Sequence, residues 1–189
     1  MADFASEKYQ SDLELVRKIG KAADSVSMAR FLAQDLVIET KPDATPVTDA
    51  DKAVENAFRK LIAEKRPDDL VVGEEFGSPD SLAGKYYWVI DPIDGTKNFL
   101  RGVPTWATLI ALMNEKGESV VGVVSAPALN RTWFAKIGSG AFVQFNGIER
   151  KISNPTPKHP SDYWRFRHQL KKRRVSPFST MHFGHLRSD

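Results

Sequence analysis

The 189-residue sequence contains no cysteine. Disulfides and thiolate metal sites are therefore excluded, and the composition suits a reducing compartment. Long apolar runs are missing as well, since no stretch approaches the ~18 residues of a membrane-spanning helix. The opening residues, Met1 to Glu7, are acidic and lack the apolar core of a secretion signal. A soluble, cytoplasmic protein is the expectation. Histidine is absent from residues 1–152, because all four lie further on, as His159, His168, His182 and His185. Whatever chemistry the first 152 residues carry does without a histidine or cysteine nucleophile.

What is present divides at about residue 152. Hydrophobic residues make up 41% and charged residues 27%, as in ordinary globular proteins. The net charge of +3 conceals an asymmetry. Residues 153–189 hold Lys158, Arg165, Arg167, Lys171, Lys172, Arg173, Arg174 and Arg187 against Asp162 and Asp189, which leaves the rest net negative. Three prolines between positions 154 and 160 forbid a helix or inner strand there, and no apolar period follows. The expected organisation is a domain over 1–152 and an irregular, basic, Pro/His/Arg-rich tail over 153–189.

Ser11-Asp12-Leu13-Glu14 has the form of a helix capping box. Leu13, Val16, Ile19, Ala23 and Val26 then recur at helical spacing, which predicts a long amphipathic helix to about Gln34. The prolines of Lys41-Pro42-Asp43-Ala44-Thr45-Pro46 predict a loop. Thr48 or Asp49 can cap a second helix with apolar positions Val54, Ala57, Phe58, Leu61 and Ile62, ended by Arg66-Pro67. Strands follow at Leu70–Gly73 and at Tyr86–Asp91, where Pro92 is expected to stop further pairing. Ala107–Met113 and Ser119–Ala126 predict a hairpin, continued by Arg131–Ile137, Ala141–Phe145 and Ile148–Ile152, with Asn146-Gly147 as a type I′ turn. Two long helices packed on an antiparallel sheet make an α+β fold.

The strongest chemical signal is Trp88-Val89-Ile90-Asp91-Pro92-Ile93-Asp94-Gly95-Thr96. An apolar strand delivers Asp91 to its end, and Asp94 follows on a tight turn, so both carboxylates can converge. Gly95 allows close backbone approach to a ligand. Thr96 opens the next segment, where free amides can hold a phosphate. Two further acidic clusters stand at element ends: Glu74-Glu75 after the short strand, and Asp49 with Asp51 at the start of the second helix. A single acid is usually a solvated surface group, and Asp49 alone reads as a helix cap. Three such clusters together favour a hard cation, and Mg²⁺ takes a few carboxylates while keeping waters and substrate phosphates.

In that order and spacing, Pro46-Val47-Thr48-Asp49-Ala50-Asp51, Gly73-Glu74-Glu75 and Asp91-Pro92-Ile93-Asp94-Gly95-Thr96 closely resemble the inositol monophosphatase-like superfamily. The resemblance spans about residues 11–152, and the runs at 41–51, 95–104 and 122–128 are similar to its bacterial histidinol-phosphatase branch. It implies the N-terminal half of a layered α-β-α-β-α sugar-phosphatase fold. Glu74, Asp91 and the Ile93 carbonyl would hold one Mg²⁺, and Asp91 and Asp94 a second. Asp51 and Glu74 would position a further metal or the attacking water, with Glu75 in support. The Gly95 and Thr96 amides would cradle the phosphate while the Thr96 hydroxyl orients the water, making Thr96, Glu74 and Asp51 the catalytic set. The implied reaction is Mg²⁺-dependent hydrolysis of a small phosphorylated metabolite, L-histidinol phosphate to L-histidinol in histidine biosynthesis, with inositol 1-phosphate as the alternative substrate and a homodimer as the implied assembly. Phosphate monoesters resist hydrolysis strongly, and adjacent cations answer that by neutralising charge on attacking and leaving oxygens.

Family members continue through a second α/β layer that supplies a Trp-Asp motif and most substrate-selecting side chains. Trp164 is followed by Arg165, not aspartate, and the expectation is that the C-terminal α/β layer is absent. The change from an acidic, periodic body to a basic tail reads as a shifted reading frame, and a natural alternative end reads the same way. Activity of this chain is on that account doubtful. Lys171 to Arg174, near Trp164, Phe166 and His168, can bind nucleic-acid phosphates, but no nucleic-acid fold signature accompanies them. Neither nucleic acid nor a membrane is the expected partner, although an inactive fragment that pairs with an intact homologue is a third reading.

Overall fold

The computed structural model describes residue 7 and residues 9–152, so the basic segment and the irregular structure expected for it lie outside the described residues. Helix α1 (Gln10–Arg30) buries Leu13, Val16, Ile19 and Ala23, the stripe that its spacing predicts. Both of its ends depart from the sequence reading. It begins before Ser11, with Tyr9 at the N-cap and no side-chain cap. Tyr9 is buried and its hydroxyl lies 3.2 Å from that of Tyr86, so anchoring to the rest of the fold replaces the capping box. The helix stops at Arg30, short of Gln34, because Phe31 turns extended and sets its ring 5.4 Å from those of Phe99 and Trp106.

A two-stranded ribbon follows, β1 (Ile38–Thr40) against β2 (Pro46–Thr48), where the prolines predicted only a loop. Pro46 is accommodated at the first position of an edge strand, where a missing N–H is tolerated. Helix α2 (Asp49–Lys65) starts on a complete capping box: the Thr48 side chain accepts from the Asp51 amide, and Asp51 accepts from the Thr48 amide. Arg66 ends it, as predicted.

Seven strands form one sheet in sequence order: β3 (Leu70–Gly73), β4 (Tyr87–Asp94), β5 (Ala107–Met113), β6 (Ser119–Ala126), β7 (Arg131–Lys136), β8 (Gly140–Phe145) and β9 (Ile148–Ile152). From β4 onward the sheet is the expected antiparallel meander. Strand β3, however, runs parallel to β4, so the sheet is mixed. That difference matters for function. Gly73 registers with Ile90, and the Glu74 amide donates to the Ile90 carbonyl at 3.2 Å, so Glu74 and Asp91 leave the sheet side by side. An antiparallel β3 would have carried Glu74 to the other end.

Pro92 does not end its strand. Asp91 pairs with Leu109 and Asp94 with Ala107, three steps on β4 against two on β5. This bulge re-aims the side chains beyond Asp91, and the Pro92 carbonyl accepts from the Thr108 hydroxyl at 2.7 Å. Helix α3 (Thr96–Leu100) follows at once.

The main core lies between the sheet and the two long helices, where Trp88, Ile90, Ile110, Leu112 and Val123 meet Val16, Ile19, Val54, Phe58 and Ile62. A second, smaller cluster of Ala50, Ile93, Phe99 and Trp106 supports the 91–96 turn, with Phe99 and Trp106 edge to face at 4.9 Å. Among the described residues no helix is long and apolar enough to cross a membrane.

Candidate active site

Three element ends meet at one acidic cleft: the start of α2 with Asp51, the end of β3 with Glu74 and Glu75, and the bulged end of β4 with Asp91 and Asp94. Asp91 is 8% exposed, and its pKa is pushed up to about 9. Burial is the main cause, followed by the charge and hydrogen bonding of Glu74, then by the charges of Asp94 and Asp51. Asp51, Glu74, Asp91 and Asp94 therefore share one electrostatic field. Asp51 is buried, and its Oδ2 accepts from the Thr48 amide at 2.8 Å and the Thr48 hydroxyl at 2.5 Å. Burial raises the Asp51 pKa against the lowering effect of those bonds. Asp49, by contrast, turns to the Val37 amide at 3.2 Å and to Arg30 at 2.9 Å. It neither caps α2 nor joins the cleft.

The Lys41 ammonium lies 2.9 Å from both Glu74 Oε1 and Glu75 Oε1. Burial lowers the Lys41 pKa, but the two carboxylates outweigh it and the net shift is upward. Burial likewise raises Glu75, with Lys41 opposing. Lys41 thus offsets Glu74 and Glu75, while the repulsion that Asp91 meets from Glu74, Asp94 and Asp51 favours a cation.

The chemistry of the donors fits Mg²⁺. One buried oxygen, Oδ1 of Asp91, has no hydrogen-bond partner. A carboxylate oxygen buried without a donor costs free energy that a bound cation would recover. Among the described residues no three acidic side chains stand close enough together to enclose one ion as they are placed. Mg²⁺ does not require such a cage, because it is commonly bound through one or two carboxylates plus waters and substrate.

The phosphate end of the predicted site is a rigid turn. Gly95 has a left-handed backbone, φ 90°, and a Cβ there would lie 3.2 Å from the Thr105 carbonyl oxygen. The Asn98 side-chain amide donates to that same carbonyl at 2.8 Å, and the Asn98 backbone amide donates to the Gly95 carbonyl at 2.7 Å. Thr96 donates its hydroxyl to the Ile93 carbonyl at 3.1 Å, which leaves the Thr96 oxygen as an acceptor. The Gly95 and Thr96 amides stand at the start of α3, where the first N–H groups have no partner within the helix.

Sequence reasoning missed Lys41, Glu55 and Arg59. Lys41 carries no local signal, being one cation in a Pro-rich stretch. Glu55 and Arg59 could have been found. They continue from Asp51 at four-residue spacing and flank Val54 and Phe58, so a charged stripe adjoins the apolar face of α2.

The sequence profile of the inositol monophosphatase family matches residues 6–178, past the boundary expected at 152. Two histidinol-phosphatases are similar at the sequence level. One, from Mycobacterium tuberculosis, is 55% identical over 72% of this chain and 52% of its own length. The other, from Streptomyces coelicolor, is 56% identical over 71% of this chain and 51% of its own length. In structure, the Thermotoga maritima IMPase superposes with a TM-score of 0.69 at 30% identity, over 87% of this chain and 66% of that one. A mixed sheet carrying long helices is thus an α+β fold like that of the solved inositol monophosphatase structures. The chain belongs to the inositol monophosphatase family. It spans about half the length of the curated relatives that it matches.

Proposed function

We propose that the protein is a Mg²⁺-dependent phosphoric monoester hydrolase acting on L-histidinol phosphate. The observation that supports the reaction class is the buried Asp91, whose Oδ1 has no hydrogen-bond partner and whose nearest charges are those of Glu74, Asp94 and Asp51. The substrate rests on similarity to the two histidinol-phosphatases. Glu74, Asp91, Asp94 and the Ile93 carbonyl would hold Mg²⁺. When bound, the metal supplies positive charge against phosphate oxygens and makes water more acidic.

The remaining work belongs to side chains and amides. The Gly95 and Thr96 amides bind phosphate oxygens and fix the phosphorus against the cleft. The Thr96 hydroxyl gives its own proton to Ile93 and accepts a hydrogen bond from the attacking water, which aims the oxygen lone pair. Asp51 and Glu74 share one proton from the water as its oxygen bonds to phosphorus, while Thr48 holds the Asp51 carboxylate in place. The ester P–O bond breaks, and the departing alkoxide oxygen takes a proton from solvent. Lys41 must release Glu74 for this to occur, and Glu75 remains as its partner.

Phosphate release from histidinol phosphate and from inositol 1-phosphate, each with Mg²⁺ and with EDTA, tests the reading. The expected result is Mg²⁺-dependent turnover of histidinol phosphate that Asp91→Asn abolishes. Turnover that survives EDTA or Asp91→Asn would overturn the metal site. Preference for inositol 1-phosphate would overturn the substrate and keep the site. With the metal removed, Asp91→Asn is expected to melt at or above the wild-type temperature, because it deletes a buried repulsion.

A further inference from the structure

We propose that Glu55 and Arg59 form a latch that positions Glu74, an inference that rests on the reading of Glu74 as a metal ligand. Glu55 is fully buried in the second turn of α2, one turn beyond Asp51. Its carboxylate does not face the cleft. Oε2 accepts from the Glu75 amide at 2.8 Å, and Oε1 accepts from the Phe76 amide at 3.3 Å and from Arg59 Nε at 2.8 Å. Arg59 in turn donates through Nη2 to the Gly77 carbonyl at 2.8 Å, the oxygen that also accepts from the Gly73 amide at 3.0 Å. The segment from Gly73 to Gly77 is thus pinned at the Glu75 and Phe76 amides and at its closing Gly77 carbonyl by two side chains of one helix.

Space confirms how closely the two elements meet. A Cβ on Gly73 would fall 1.8 Å from Glu55 Oε1, so any other residue there would evict the carboxylate. Glu74 sits inside the pinned segment, between Gly73 and the amide of Glu75. Its backbone is thereby held at the point from which its side chain interacts with Asp91. The same helix that presents Asp51 to the cleft therefore also positions the backbone of Glu74. A buried carboxylate accepting two amides and an arginine is costly to place unless fully satisfied. The satisfied set here is spent on a five-residue turn whose other feature is the predicted ligand.

Partners that orient metal ligands typically contribute about 10- to 100-fold in metal affinity. The test is a Mn²⁺ titration of the whole 189-residue chain, following free Mn²⁺ by electron paramagnetic resonance, with circular dichroism on the metal-free forms. Glu55→Gln keeps the shape but offers a donor where an acceptor is needed. It is expected to weaken Mn²⁺ about 10- to 100-fold while the metal-free spectrum is unchanged, and Asp91→Asn is expected to weaken it further. A merely structural Glu55 would instead lower the melting temperature and leave the affinity of the folded fraction intact, and that result would sink the latch while sparing the site. Equal binding by wild type and Asp91→Asn would show that the site itself is wrong, and the latch would fall with it. Should Glu55→Gln not fold, Arg59→Gln decides. It removes the Gly77 anchor from a partly exposed side chain, and wild-type affinity in that variant overturns the proposal.

Discussion

The two edges of the sheet are built on opposite principles. At the β3 edge, four short residues end in a turn surrounded by buried charge: Asp51, Glu55 and Asp91 are all at most 8% exposed. At the β9 edge all five residues are exposed, and Ile148 is 73% exposed. There Glu149, Arg150 and Lys151 lie in water, and the only close ion pair of the strand among the described residues is Arg17 to Glu149 at 2.9 Å. Charges of this kind blunt an open edge against pairing with another chain. The first edge concentrates buried charge at the place where we propose that a cation binds. The second keeps its charge solvated and gains only solubility.

A matched pair of glycines offers the sharpest way to break this contrast. Gly95 and Gly147 have similar left-handed backbones, φ 90° and φ 81°, but a Cβ at Gly147 would meet nothing within 4 Å. Each alanine variant is expected to cost about 1–2 kcal/mol in a denaturant titration from the backbone conformation alone. Only Gly95→Ala also presses on the Thr105 carbonyl beside the phosphate turn, and its phosphate release is expected to fall about 10²-fold. Equal activities would show that the turn plays no part in catalysis.

A smaller effect belongs to the middle of the sheet. Asp24 of α1 accepts from the Ser125 hydroxyl of β6 at 2.8 Å, and its Oδ1 is buried without a partner. Burial pushes its pKa up to about 6, against the opposing Ser125 bond and Lys21 charge. The folded state then binds more protons than the unfolded chain between the ordinary carboxylate range and about pH 6. Stability is expected to fall as pH rises through that window and to level off above it. Asp24→Asn should remove this slope and melt higher than wild type at pH 8, which thermal scans at several pH values would show. At the β9 edge, Glu149→Ala is expected to change stability by no more than about 0.5 kcal/mol. A larger loss would mean that this edge is not passive.

The sequence was informative where structure is local. The stripe of α1, the Thr48 cap, the hairpin at 107–126 and the Asn146-Gly147 turn each follow from residues close together in the chain. So does the 91–96 motif, whose Gly95, Thr96 and two aspartates stand in the expected order. What escaped notice depends on partners far along the chain. The parallel pairing of β3 has no local signature, because a four-residue apolar strand reads the same in either direction. Pro92 looked like a stop, yet the bulge absorbs it through Thr108. The ribbon at 38–48, with three residues in each strand, is too short to show an alternation. Lys41, Glu55 and Arg59 acquire meaning only when β3 and α2 are placed side by side.

The parallel β3–β4 pair also bears on the order in which the chain can fold. The hairpins from β5 to β9 close over short connections, two residues at 146–147 and five at 114–118. Strand β3 reaches β4 only across residues 74–86, with no helix between them. Loop closure must precede any return from such a pairing, so non-local parallel contacts form slowly. The meander can therefore zip up first, and the cleft forms when β3 and the latched turn dock against it. In pulsed hydrogen exchange during refolding, amides of β5 and β6 should gain protection before those of β3. For part of its folding time the chain would then be a sheet without a site.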